Sequence, residues 1–148
     1  MTDLAADLPG TRTPEFDVGA AVPPFVRPAG LEAWNRYAAV NDEFVPIHMD
    51  DEAGKAAGYP GAFGMGNLLW AWLHCAMESW LGDRGRVEHL ECRFRAPALK
   101  GDEVTCGGVI TGRKAREDGK TVLELDLWAD RQSGDRLVTA KAQVVLRG

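Results

Sequence analysis

One stretch limits what this chain can fold into. From Met65 to Leu81 the apolar residues Met65, Leu68, Leu69, Trp72, Leu73, Ala76, Met77, Trp80 and Leu81 recur at i, i+3, i+4, i+7 and i+8. That is the period of a helix with a wide buried stripe, and no strand pattern fits it. The remaining face carries Asn67, Trp70, Ala71, His74 and Cys75, with no formal charge before Glu78. A helix this apolar is expected to be covered on nearly all sides, and that calls for a sheet wrapped around it.

Beyond Gly82 the period drops to two. Leu90, Cys92, Phe94 and Ala96 alternate with His89, Glu91, Arg93 and Arg95, predicting a strand with one dry and one wet face. A turn over residues 99–102 leads into a second strand, and Asp118-Gly119 is a strong hairpin signal before Leu123, Leu125 and Leu127. Ser133-Gly134 marks the next turn, and the last run turns Val138, Ala140, Ala142, Val144 and Leu146 to one side. Those small inward residues leave room for a bulky helix. Ahead of the helix, residues 16–26 hold one short strand, confined to an edge or cut short because Pro23 and Pro24 cannot donate to a ladder. Residues 28–40 predict a short helix, and 50–57 a second, with Asp50, Asp51 and Glu52 at its positive end and Gly58 as its stop. The sum is an α+β fold, an antiparallel sheet of about five strands around one long central apolar helix. Residues 1–14 read as a flexible arm and 15–148 as a single domain, since 148 residues suit one core better than two.

Composition excludes several partners. The net charge of -5 and 17 scattered Lys and Arg provide no clustered basic face for nucleic acid. The longest apolar run, Leu68 to Leu73, falls far short of the roughly 20 residues of a membrane span. The acidic start is wrong for a secretory signal, so the expectation is a soluble, cytoplasmic protein. Cys75, Cys92 and Cys106 lie in apolar patterns without metal-ligand spacing, as small buried side chains in a reducing compartment do.

The loop ahead of the helix carries the chemistry. Asp42, Glu43 and His48 place two carboxylates and an imidazole within seven residues, and Pro46 stiffens the backbone between them. A carboxylate can orient or deprotonate a water while a histidine transfers the second proton. Gly58, Gly61, Gly64 and Gly66 let backbone N–H groups approach a ligand, and a helix N-terminus favours an oxygen gaining negative charge. Singly, each of these residues is as well read as a turn former or a solvated charge. Clustered before the central helix, they suit enolate chemistry beside a carbonyl.

From Tyr37 to Gly148 the sequence resembles the MaoC-like, or R-specific enoyl-CoA hydratase, family of the hotdog fold. The family pattern Y-A-x-x-S-G-D-x-N-P-x-H, then D-x-x-x-A and A-H-G-M, is met by YAAVNDEFVPIH, by Asp50 with Ala53 or Ala56, and by Ala62-Phe63-Gly64-Met65. The resemblance implies that Glu43 and His48 activate one water and that the Gly64 N–H holds the thioester oxygen. Three departures from the pattern matter: Glu43 stands at the Asp, Val45 at the Asn, and Phe63 at the His of A-H-G-M. Glu is one methylene longer than Asp, so Asp42 is the alternative acid. Val45 and Phe63 make the pocket more apolar, as suits a bulky acyl group.

The resulting expectation is a hydratase or dehydratase interconverting trans-2-enoyl and 3-hydroxyacyl thioesters. Coenzyme A is carried by the substrate, and no metal or redox cofactor is implied. Asn67, Trp70 and His74 line the acyl tunnel or else pack at a subunit interface, and Arg93, Arg95, Lys100 or Arg113 meet the coenzyme A phosphates. Two alternatives are a hotdog thioesterase and a non-catalytic, acyl-binding partner of a second hotdog subunit. Hotdog chains resemble obligate dimers, so a homodimer or higher even assembly is expected, with neither nucleic acid nor membrane as partner.

Overall fold

The computed structural model describes residues 14–147. Nearly all of the expected arm, residues 1–13, lies outside them. The apolar run forms α3 (Gly66–Leu81) with Met65 as its N-cap, and its stripe of Leu68, Leu69, Trp72, Leu73, Ala76, Met77, Trp80 and Leu81 is buried. Each fully buried large apolar side chain contributes roughly 1.5–3 kcal/mol, so this stripe is the main support of the fold.

The sheet that receives it has five antiparallel strands: β1 (Ala21–Pro28), β2 (Gly85–Phe94), β3 (Glu103–Ala115), β4 (Thr121–Asp130) and β5 (Arg136–Leu146), in the order β1-β3-β4-β5-β2. This is the α+β hotdog arrangement. Ile110, Leu123, Leu125, Leu137, Val138 and Val144 meet α3 from the sheet, each at most 1% exposed. The Asp118-Gly119 and Ser133-Gly134 signals close the β3–β4 and β4–β5 hairpins, with Gly119 and Gly134 at φ 82° and 91°. β1 is an edge strand, and its register shifts between Val22 and Phe25, where the two prolines sit.

Two expectations need correction. The outer side of α3 is not covered by the described residues: Asn67, Trp70, Cys75 and Glu78 are exposed. Likewise the dry face of β2 is only partly dry, with Leu90 and Cys92 half-buried and Phe94 51% exposed. The reason is topological. The turn over residues 99–102 is no hairpin; β2 pairs β5 at the far edge of the sheet, and among the described residues no strand pairs with its other side.

Two short helices precede α3. α1 (Leu31–Asn41) buries Trp34 and Ala38. α2 (Asp51–Ala56) is capped by the Asp50 carboxylate, which accepts from Glu52 N–H (3.3 Å) and Ala53 N–H (3.2 Å).

Candidate active site

α1 ends on Asp42, which adopts the left-handed conformation (φ 53°, ψ 40°) and donates its N–H to Ala38 O. Asp is among the few L residues that accept this geometry, so Asp42 has a structural reason to be there. Its side chain is exposed, whereas Glu43 is half-buried, with Oε2 accepting from the Asn41 amide at 3.3 Å.

The chain then turns through the 3-10 segment Pro46–His48. His48 is 8% exposed and its Nδ1 lies 2.8 Å from Phe63 O. A carbonyl oxygen can only accept, so Nδ1 carries the proton and Nε2 is left as the acceptor of the neutral ring. Phe63 is tied back twice, because its own N–H donates to Ile47 O (3.1 Å) and its ring meets the His48 imidazole edge-on at 5.5 Å. Tyr59 packs on the other side of Phe63 at 4.3 Å. Phe63 thus fills its position with an apolar wall. Val45, immediately before the Pro46–His48 segment, is 39% exposed.

Phe63 and Gly64 form a two-residue ladder with the β2–β3 connection. Phe63 bridges Leu99, and Gly64 N–H donates to Ala98 O at 2.8 Å. That bond changes the expected role of Gly64: its N–H is already engaged and cannot also hold a thioester oxygen in this conformation. Gly64 is needed for another reason, since a Cβ there would stand 2.8 Å from the Trp34 indole nitrogen. Among the described residues, the N–H groups of Gly66 and Asn67, at the start of α3, have no acceptor. No hydrogen bond or ion pair among the described residues joins Glu43 to His48.

The acyl-binding expectation is also redistributed. A groove of about 650 Å³ runs between α1 and α3, floored by Leu68 and Trp72 and walled by Leu31, Ala33, Tyr37 and Val40. Asn67, Trp70 and His74 are not part of it; they lie on the outer side of α3, where Trp70 leans on His74 at 6.2 Å. The groove does not reach His48. Its link to the acid is Tyr37, whose hydroxyl is held above its ordinary range, first by burial and then by the charge of Glu43. The four cations expected to meet phosphate do not converge. Arg93 and Arg95 lie on the outer sheet face, Arg113 donates to Phe16 O (3.1 Å), and Lys100 alone stands by the Phe63–Gly64 segment, paired with Asp51 at 2.6 Å. Among the described residues no three His, Cys, Asp or Glu side chains gather as a metal ion requires.

Sequence reasoning missed Asp51, whose Oδ1 accepts from Ala62 N–H at 3.0 Å as well as from Lys100. Gly54 and Gly61 were its signal. A Cβ on Gly54 would stand 1.9 Å from Gly61 O, and one on Gly61 would stand 2.7 Å from the Asp51 carboxylate.

Residues 14–128 match the model of the MaoC like domain. The chain belongs to the MaoC-like domain family. At the level of the family this MaoC-like protein is therefore a hydratase-type enzyme fold with hydratases among its structural neighbours. The (R)-hydratase of A. caviae involved in PHA biosynthesis is 25% identical, covers 89% of this chain and 98% of its own, and superposes with a TM-score of 0.78. R-Hydratase PhaJ1 of Pseudomonas aeruginosa is 18% identical, covers 88% and 81%, and gives 0.79. The ChsH1-ChsH2 complex of Mycobacterium tuberculosis contains a chain that is 21% identical, covers 88% and 98%, and gives 0.76. No curated protein matches the MaoC-like chain by sequence. Among the described residues no helix is long and apolar enough to cross a membrane.

Proposed function

We propose that the chain hydrates trans-2-enoyl thioesters, and dehydrates the corresponding 3-hydroxyacyl thioesters, with coenzyme A as the carrier. The observation that carries this reading is the His48 Nδ1–H bond to Phe63 O, which leaves a buried imidazole with Nε2 ready to take a proton. His48 and Glu43 position a water and remove its proton as its oxygen bonds to C3 of the enoyl group. The electron pair moves onto the thioester oxygen, and a proton returned to C2 completes the addition. The enolate oxygen is held by the free N–H groups of Gly66 and Asn67 at the positive end of α3, in place of the engaged Gly64 N–H.

The acyl group lies along the α1–α3 groove. Its volume, within the range of about 300–1,000 Å³ typical of ligand pockets, and its Leu68 and Trp72 floor fit a bulky apolar acyl group. Asp42 is left to the backbone turn. Phe44 and Met49 in the connection between α1 and α2, Trp70 on α3 and Phe94 at the end of β2 are apolar and all more than 40% exposed. A second hotdog chain docked there would cover them, through a β2-edge sheet and the outer side of α3. A stable folded monomer in sedimentation at micromolar concentration would refute this assembly.

Product analysis tests the reaction. Hydration removes the enoyl absorbance without releasing thiol, whereas thioester hydrolysis releases thiol. A non-catalytic partner chain does neither, and the lack of a hydrogen bond or ion pair between Glu43 and His48 favours that second reading if both assays are silent. Two structural neighbours, described as a ChsH1-ChsH2 complex and a HadBC complex, are two-component assemblies by name.

A further inference from the structure

One carboxylate oxygen outside the dyad ties together three segments around the site. Asp51 Oδ1, on the first residue of α2, accepts from Ala62 N–H (3.0 Å) and from Lys100 Nζ (2.6 Å). Ala62 leads into the extended segment of Phe63 and Gly64; Lys100 follows Leu99, which forms an isolated bridge with Phe63 from the other side. The approach is close because Gly54 and Gly61 lack side chains. Lys100 does not hang from a loose loop. Buried Asp102 accepts from Leu99 N–H (2.8 Å) and Gln132 Nε2 (3.1 Å), and Arg131 donates to Pro97 O (2.8 Å) while lying 3.3 Å from Asp102.

The chain of contacts therefore runs from a fixed turn through Lys100 and Asp51 to Ala62, and one residue on to the Phe63 carbonyl that holds His48. We infer that Asp51 and Lys100 are positioning residues: their junction sets the height of the Ala62–Gly64 segment and, through Phe63 O, keeps His48 in the Nδ1–H form with Nε2 free. Neither side chain touches the reacting atoms. The pair is half-exposed, so its electrostatic strength alone is modest; its effect comes from where it pins the backbone. The Asp51 carboxyl is held below the usual carboxylate range, first by the Lys100 hydrogen bond and then by the Ala62 N–H, so the junction stays charged at neutral pH. This inference rests on the proposed proton-transfer role of His48.

The test is ring-nitrogen NMR on protein carrying ¹⁵N-histidine, with His48 assigned by its loss in His48→Gln, combined with turnover on an enoyl thioester. The wild type is expected to show a protonated Nδ1 and a bare Nε2 for neutral His48. Asp51→Asn and Lys100→Met should give a mixture of ring forms and lower kcat by about tenfold, within the hundredfold that a ~1 Å misplacement can cost, while KM stays within about twofold. Lys100→Arg, which keeps the donor, should restore both readouts. If both disruptive variants keep the wild-type ring pattern and kcat, and differ only in melting temperature, the inference is overturned. Should Asp51→Asn fail to fold, Lys100→Met removes one bond from a half-exposed side chain and decides alone. A wild type without hydration activity whose ring pattern still responds to the variants would sink the reaction and leave the positioning intact.

Discussion

Gly54→Ala places one methyl group at the tightest approach in the site. Its Cβ would stand 1.9 Å from Gly61 O, 2.3 Å from Gly61 C and 2.7 Å from Ala62 N, all backbone atoms that no rotamer change can clear. Reaching ordinary contact at 3.4 Å requires α2 to retreat by about 1.5 Å. That retreat takes the Asp51 carboxylate, now 3.0 Å from Ala62 N, out of hydrogen-bond range. Forcing a side chain into a filled site costs typically 1–3 kcal/mol and more against backbone, and the better helix propensity of Ala returns about 1 kcal/mol. The expected net loss is about 1–3 kcal/mol, seen as a fall in Tm of roughly 3–10 °C for a domain of this size. Calorimetry or circular dichroism gives the Tm, and turnover of the folded fraction reports the displaced Phe63 carbonyl. Gly54→Ala with unchanged Tm and unchanged turnover would mean that α2 does not pack on the Gly61–Ala62 backbone as described.

Four further outcomes follow from other parts of the molecule. Asp102→Ala strips a buried carboxylate from Leu99 N–H, Gln132 and Arg131 and should cost about 3 kcal/mol in denaturant unfolding, far more than Asp42→Ala at its exposed turn. Burial pushes the Cys106 thiol from 9.0 up to about 12 and Cys92 up to about 11, so at pH 8 alkylation should mark Cys75 first and Cys106 last. The same shifts act on stability: above pH 9 the unfolded thiols ionise while the folded ones stay protonated, so the unfolded state binds fewer protons and stability falls as pH rises. Each thiol contributes up to about 1.4 kcal/mol per pH unit until its folded value is reached, and Cys106→Ala should flatten that alkaline decline. Finally, Trp72→Ala opens the floor of the α1–α3 groove and should shift preference toward larger acyl groups, whereas Trp70→Ala, on the outer side of α3, should leave acyl preference alone and weaken subunit association.

The periodic elements were legible because each is a local pattern. The α3 stripe appears in the structure residue for residue, one position inside the expected start, and the Asp-Gly and Ser-Gly turns close the hairpins they announced. Partner choice was not legible. Nothing in the alternation of Leu90, Cys92 and Phe94 says that β2 crosses to pair β5 and leaves an edge open. The same division holds in the site. Spacing picked out Glu43 and His48, but the donor state of Gly64 depends on Ala98, distant in sequence, and no motif records that bond. Asn67, Trp70 and His74 were grouped correctly as one helix side, yet which side meets the groove depends on where α1 packs. In the sequence Asp51 is only a helix-start acid, because its second partner, Lys100, comes from a turn that the topology alone brings near.

The central claim is that His48 transfers a proton in a hydration reaction, and its most direct test is the turnover of His48→Gln against wild type on one enoyl thioester. Gln keeps a polar side chain that can still reach Phe63 O but cannot accept and return a proton. The expected result is a loss of roughly 100-fold or more in kcat at a nearly unchanged Tm, with Glu43→Gln giving a similar loss, Asp42→Asn a smaller one, and the Glu43/His48 double change far from additive. Near-normal turnover in His48→Gln together with a lowered Tm would contradict the claim, leaving His48 as a packing residue on the Phe63 carbonyl and placing the chemistry elsewhere in the chain.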